Sequence, residues 1–284
     1  MGQQHLLSLS NMLAAIIFCL ALGMSWGAAE EDTMGPIFIK EPPNRVDFSN
    51  TTGAVVECTA RGQPAPEIIW VRADGTAVGE VPGLRQVQPN GNLVFPPFRA
   101  EDYRQEVHAQ VYICLAKNSV GSIHSKDVNV RAVVNQFYEA EIMTEYVIRG
   151  NTAVLKCSIP SFVADYVQVE SWLDNEGTIY QPATKSSTKT DYDGKYLVLP
   201  SGELHIRDVG PEDGYKSYQC RTKHRLTGET RLSATKGRLV ITEPVGLKPP
   251  TLSSDAKSTT YERTYGQSFG LLCGAQGFPP PGYK

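Results

Sequence analysis

Beyond its N-terminal segment the sequence has no apolar run near the roughly 20 residues that cross a bilayer. It holds no His-Glu-x-x-His and no Cys-x-x-Cys pair. His108, His124, His205 and His224 stand apart, which excludes the common zinc arrangements. No glycine-rich loop leads into a helix, and no stretch shows the 3.6-residue apolar period of an amphipathic helix. The net charge of −3 gives no reason to expect a nucleic acid partner. One Gly-x-Ser-x-Gly string, Gly266 to Gly270 around Ser268, runs into a strand pattern instead of a helix, so it reads as a turn and not as a nucleophile elbow. No enzyme, cofactor or metal site is expected.

The first segment is a targeting signal. Leu13 to Leu22 (LAAIIFCLAL) is an apolar core too short to span, and small residues allow cleavage after Gly27 or Ala29, although Lys and Arg are missing ahead of the core. Residues 1–28 are therefore expected to direct the chain to the secretory pathway and the extracellular space. Of the 6 cysteines, Cys19 leaves with this signal, and secretion makes disulfides the default state of the rest. An odd number remains, so the partner of Cys273 is expected beyond Lys284.

Alternation with a period of two dominates the rest of the chain, and it repeats. Cys58 precedes Trp70 and Cys157 precedes Trp172; Leu93-x-Phe95 with Phe98 answers Leu204-x-Ile206 with Val209; Tyr112-x-Cys114 answers Tyr218-x-Cys220. A cysteine, a tryptophan and a Tyr-x-Cys in that order mark an immunoglobulin sandwich, whose bridge joins two sheets, whose Trp packs on the bridge and whose Tyr hydroxyl ties a corner. The disulfides Cys58–Cys114 and Cys157–Cys220 and the core residues Trp70, Tyr112, Trp172 and Tyr218 are the consequence. The fold class is all-β: module one over 36–132, module two over 133–243, and the truncated start of a third over 246–284. That third start repeats the frame Cys-x-Ala-x-Gly-x-Pro-x-Pro of Cys58 at Cys273, which predicts Trp as the next residue after Lys284. No Pro or Gly separates the first two modules, so a strand is expected to run across the junction near Val133. Glu170 falls where alternation predicts an inward apolar side chain; a bulge that turns it outward is expected, because an unpaired buried charge is costly.

Three surface features remain. Asn50-Thr51-Thr52 is a sequon in a turn, and Asn50 is a candidate glycan acceptor. Arg221, Lys223 and Arg225 alternate with inward residues, forming a candidate basic patch for a sulfated glycan or acidic partner, or a solvated face that protects the sheet. Phe137 to Tyr146 opens module two as an edge-type strand, either covered or free to pair with a second copy about a two-fold axis.

The strings DFSNTTGAVVEC, GLRQVQPNGNLVFPPFRAEDYRQEVHAQVYIC and YDGKYLVLPSGELHIRDVGPEDGYKSYQC closely resemble the arthropod Down syndrome cell adhesion molecules of the immunoglobulin superfamily. The resemblance weakens over 133–191 and from Val245 onward, where the family uses alternative spliced segments. It implies a single-pass receptor that binds copies of the same isoform in neuronal self-recognition and axon guidance. It also implies a homophilic strand: Glu139, Glu141, Ile142, Met143, Thr144, Glu145 and Tyr146, with Ile142 and Thr144 expected at its centre. The alternative is a secreted heterophilic immunoglobulin-type module that binds a glycan, a pathogen or a protein such as a secreted guidance ligand.

Overall fold

A computed structural model describes residues 33–182, 194–252, 265 and 273–283; the signal segment and Ser268 lie outside these. Among the described residues no helix is long and apolar enough to cross a membrane. The chain groups into two compact units whose boundary passes through the second and tenth strands.

In the first unit, β1 (Met34–Lys40) pairs with β4 (Thr59–Gln63), and β3 (Ala54–Val56), β7 (Leu93–Phe95) and β6 (Gln86–Val87) form a ladder beside them. The opposing sheet runs β2 (Arg45–Ser49), β10 (Val128–Val133), β8 (Ala109–Lys117), β5 (Glu67–Arg72), with β9 (Ser122–His124) beside β8. Alternation places Val56 and Cys58 inside and Val55 outside. A disulfide joins Cys58 to Cys114, both fully buried, across the two sheets. The Trp70 indole lies in this core, and its Nε1 donates to the Gly91 carbonyl at 2.7 Å. Gly91 has φ +88, and a Cβ there would come within 2.9 Å of Ile68, so both the turn and the close approach require glycine. The long insertion before Tyr112 folds into α1 (Gln105–His108). Its Val107 carbonyl accepts the Tyr112 hydroxyl at 2.8 Å, which ties this corner.

The second unit contains a similar sandwich. One side holds β11 (Glu141–Ile142) with β14 (Cys157–Ser158), and β13 (Ala153–Leu155) with β18 (Leu204–Ile206) and β17 (Tyr196–Val198). The other runs β12 (Glu145–Ile148), β21 (Gly237–Thr242), β19 (Ser217–His224), β15 (Val167–Asp174), β16 (Ile179–Tyr180), with β20 (Thr230–Leu232) beside β19. Cys157 is bonded to Cys220. Trp172 Nε1 donates to the Gly202 carbonyl at 2.8 Å, as Trp70 does to Gly91.

The expected bulge is present. Val169 pairs with Thr222 and Ser171 with Arg221, so Glu170 has no opposite number, and its carboxylate reaches Lys223 Nζ at 3.3 Å. One extra residue moves the packing register. Val169, three residues before Trp172, fills the space against Gly202 that Ile68, two before Trp70, fills against Gly91.

Two expectations give way. Among the described residues, the buried Tyr218 hydroxyl has no partner of hydrogen-bonding geometry. That corner is held instead by Asp213 in α2 (Pro211–Gly214), whose carboxylate accepts the Gly210 N–H at 2.9 Å and the Tyr196 hydroxyl at 2.5 Å and pairs with Lys195 at 2.7 Å. Nor does a strand run on past Val133: β10 ends there and β11 begins at Glu141. Asn50 takes the intervening backbone groups, its own N–H bonding Val133 O and its Oδ1 accepting Asn135 N–H. Near the C-terminal end β22 (Lys248–Leu252) pairs with β23 (Ala275–Phe278). The repeated proline frame shows in the backbone too: Gln63–Pro64 and Phe278–Pro279 are both cis.

Candidate recognition edge

The segment from Phe137 to Ile148 changes sheets partway. Tyr138, Ala140 and Ile142 point inward, while Glu139, Glu141 and Met143 point out. Ladder pairing stops at Met143 and Thr144, and β12 then runs parallel to β21 with Tyr146 opposite Val240. After the break, Val147 and Ile148 are buried and Tyr146 is 70% exposed.

Ile142 does not sit at the centre of a contact surface. It is 5% exposed, and a Cβ at Gly237 would overlap its Cγ2, so its side chain is a core plug lodged on a glycine. Its backbone is also engaged. Ile142 N–H donates to Thr235 Oγ1 at 2.7 Å, and that hydroxyl donates to Ile142 O at 3.0 Å. Ala234 N–H bonds Ala140 O at 2.8 Å. Thus β11 lies between β14 and the 234–235 segment and is not an open edge.

The open part begins after the break. In a parallel ladder, alternate residues turn their N–H and C=O toward the neighbour. Arg149 N–H bonds Thr242 O at 3.0 Å, so the odd positions Glu145 and Val147 face β21. The even positions Thr144, Tyr146 and Ile148 face away. Ile148 N–H is taken by Gln276 Oε1 at 3.0 Å. No strand or side chain among the described residues takes the outward groups of Thr144 and Tyr146. Exposed Met143, Tyr146 and Val240 supply apolar surface beside them.

Glu145 shares its side with Val147 and lines a groove of about 1000 Å³ together with Met143, Val154, Lys156, Gln168 and Glu203. Burial pushes its carboxyl above the ordinary value, and the Lys156 charge pulls against that shift.

The other candidates are placed differently. Asn50 is 8% exposed; its Nδ2 donates to Phe98 O at 3.0 Å and its Oδ1 accepts Asn135 N–H at 2.7 Å. The amide that would carry a glycan is a buried strut, so the acceptor reading is withdrawn. Along the basic stripe, Lys223 pairs with Glu170, Arg225 donates to Asp165 O and lies over the Tyr166 ring at 4.8 Å, and Arg231 pairs with Glu229. Arg221 stands half-buried among them on β19. The stripe is largely neutralised in place, which fits a solvated face better than an anion site. Sequence reasoning missed Thr235 and Gln276, the groups that close the ends of the edge, because each acts from more than 90 residues away.

No family model matches the chain. The Drosophila melanogaster cell adhesion molecule Dscam1 is 63% identical over 279 residues, covering 96% of this chain and 13% of that protein. Human DSCAM is 36% identical over 247 residues, covering 87% and 12%. Among solved structures, the N-terminal four Ig domains of Dscam1 isoform 7.44 superimpose with a TM-score of 0.80 at 71% identity, over 88% of this chain and 62% of that one. Isoform 9.44 gives 0.82 at 68%, over 88% and 63%. A further match, with a TM-score of 0.72 at 66% identity over 87% of this chain and 62% of that one, is described as the structural basis for Dscam isoform specificity. The chain spans 12–13% of the length of these two curated relatives.

Proposed function

The chain belongs to the Dscam family of cell adhesion molecules over the region it shares with them, and from that premise we propose that it is part of an extracellular adhesion ectodomain that binds a second copy of itself. The observation that carries this reading is the short open edge at Thr144 and Tyr146, with its backbone groups turned outward and exposed apolar side chains beside it. An edge of this kind pairs most simply with an identical edge, antiparallel about a two-fold axis. The pairing is short and therefore weak, and it gains strength when several modules of a longer receptor engage together. The family relation supports a parent protein held in the plasma membrane and acting by binding, without catalysis. We take the modules as 36–132 and 133–243, with a third beginning at 246.

A heterophilic glycan or guidance-ligand reading has less support, because two of the three basic side chains it needs, Lys223 and Arg225, already pair with Glu170 and Asp47. Aggregation of beads coated with the chain tests the homophilic reading. Wild-type beads are expected to cluster and Thr144→Pro beads to stay dispersed, since the substitution removes an outward donor at a position outside any strand. Clustering that survives Thr144→Pro would count against the edge.

A further inference from the structure

We propose that Arg221 and Ser171 form a socket for one carboxylate side chain of a second, acidic protein. The socket lies on a sheet face of the second unit, is distinct from the backbone edge at Thr144 and Tyr146, and does not depend on self-pairing.

Arg221 on β19 stands opposite Ser171 on β15, and opposite Leu232 on β20 at its other side. The adjoining Cys220, Thr222 and Trp172 are buried in the core, so Ser171, Arg221 and Leu232 belong to the outer face. Opposite residues of antiparallel strands have Cβ atoms about 4.5–5.5 Å apart. Ser171 is 3% exposed, and its Oγ is shut from water with no hydrogen-bond partner among the described residues. A buried hydroxyl left unpaired costs stability and calls for an acceptor. Arg221 is half-buried, and its guanidinium makes no hydrogen bond or ion pair with the described residues. The bulge sends the Glu170 carboxylate to Lys223 instead. One charged donor and one neutral donor therefore stand side by side without an acceptor.

The pairing of the other cations selects the ligand. Lys223 pairs with Glu170 and Arg225 with Asp47, so the β19 stripe offers a single free guanidinium where a sulfated glycan needs a run of them. The surroundings are apolar. Leu232 is 49% exposed, and Ile179, opposite Leu173 on the same face, is 51% exposed. An arginine among apolar side chains that exclude water is the pattern of a protein-binding hot spot. Exposed Arg238, opposite Ser217 on this face, adds positive charge that draws an acidic partner. The guanidinium fork matches both oxygens of a carboxylate. Docking turns the long Arg221 side chain onto that carboxylate and opens the Ser171 hydroxyl to the same group.

Nuclear magnetic resonance of the Arg221 Nε–H in the full chain tests this, with the end-capped tripeptide Leu-Glu-Leu as probe. A saturable shift of that signal is expected, and the counterpart Leu-Gln-Leu should bind about tenfold more weakly. Arg221→Gln is expected to abolish the binding. Arg221→Lys keeps the charge but loses the fork, and should weaken it about fivefold. Ser171→Ala should weaken it about threefold without lowering the melting temperature, since the hydroxyl it removes is unpaired in the free chain. Equal binding of the two tripeptides, or saturation by neither, overturns the proposal. Tighter binding of a heparin octasaccharide, lost in Arg221→Gln, overturns the protein carboxylate in favour of a sulfated glycan.

Discussion

Trp172 and Gly202 are locked to each other: the indole Nε1 donates to the glycine carbonyl at 2.8 Å, and a Cβ on that glycine would come within 2.9 Å of Val169. The donor needs a turn that aims the carbonyl into the core, and the turn needs φ +103, which only glycine adopts without strain. Gly202→Ala should therefore cost both backbone strain and overpacking, about 2–4 kcal/mol together. Gly177→Ala is the control, since its φ is +86 but nothing lies within 4 Å of the added Cβ; about 1 kcal/mol is expected. Thermal unfolding of the two variants measures the difference.

Acid should loosen the second unit. Burial works to raise the Asp174 carboxyl, but hydrogen bonds from the Thr178 N–H, Lys216 and Tyr180 outweigh it and hold the group at about 2. A carboxyl depressed in the folded state contributes stability that is present above its unfolded value, 3.8, and lost as pH falls toward 2. The contribution is about 2 kcal/mol. Asp174→Asn should lower stability at neutral pH and flatten the loss between pH 4 and 2, as read by urea unfolding across that range.

Histidines act over a higher window. Burial lowers the basicity of His205 and His224, against partial opposition from Glu203 and Glu229 respectively. The unfolded chain binds protons at these sites first, so stability should begin to fall as pH drops below about 6.5. His224→Gln should reduce that slope in the same titration. A slope unchanged by the substitution would show that His224 does not contribute to it.

Asn50 should be unmodified and structural. Its side chain satisfies Phe98 O and Asn135 N–H in a buried place, so Asn50→Ala leaves both unpaired and should cost about 1–3 kcal/mol. Mass spectrometry of the secreted chain before and after glycosidase treatment should find this asparagine without sugar.

The sandwich was legible because its marks are local: a cysteine, a tryptophan and a Tyr-x-Cys keep their order whatever the loops do. The bulge at Glu170 was legible too, as a charge at an inward position of an alternating run. The recognition edge was only half legible. Alternation placed Phe137 to Tyr146 on a strand, but gave no sign that the run leaves one sheet at Ile142 and joins the other at Glu145. That switch depends on Thr235 and on the β21 backbone, roughly a hundred residues downstream. The family resemblance put Ile142 at the centre of the contact, where the structure places it in the core. The Tyr218 corner differs for a similar reason, because Asp213, five residues ahead, holds Gly210, Tyr196 and Lys195 in its place.

The central claim is that one short edge carries self-recognition, and sedimentation of the chain against Tyr146→Pro tests it most directly. Tyr146 turns its N–H away from β21, so proline there removes an outward donor while leaving the internal ladder intact. Wild type should show a concentration-dependent dimer, and Tyr146→Pro should remain monomeric with an unchanged circular dichroism spectrum and melting temperature. A folded Tyr146→Pro chain that dimerises as strongly as wild type would contradict the account.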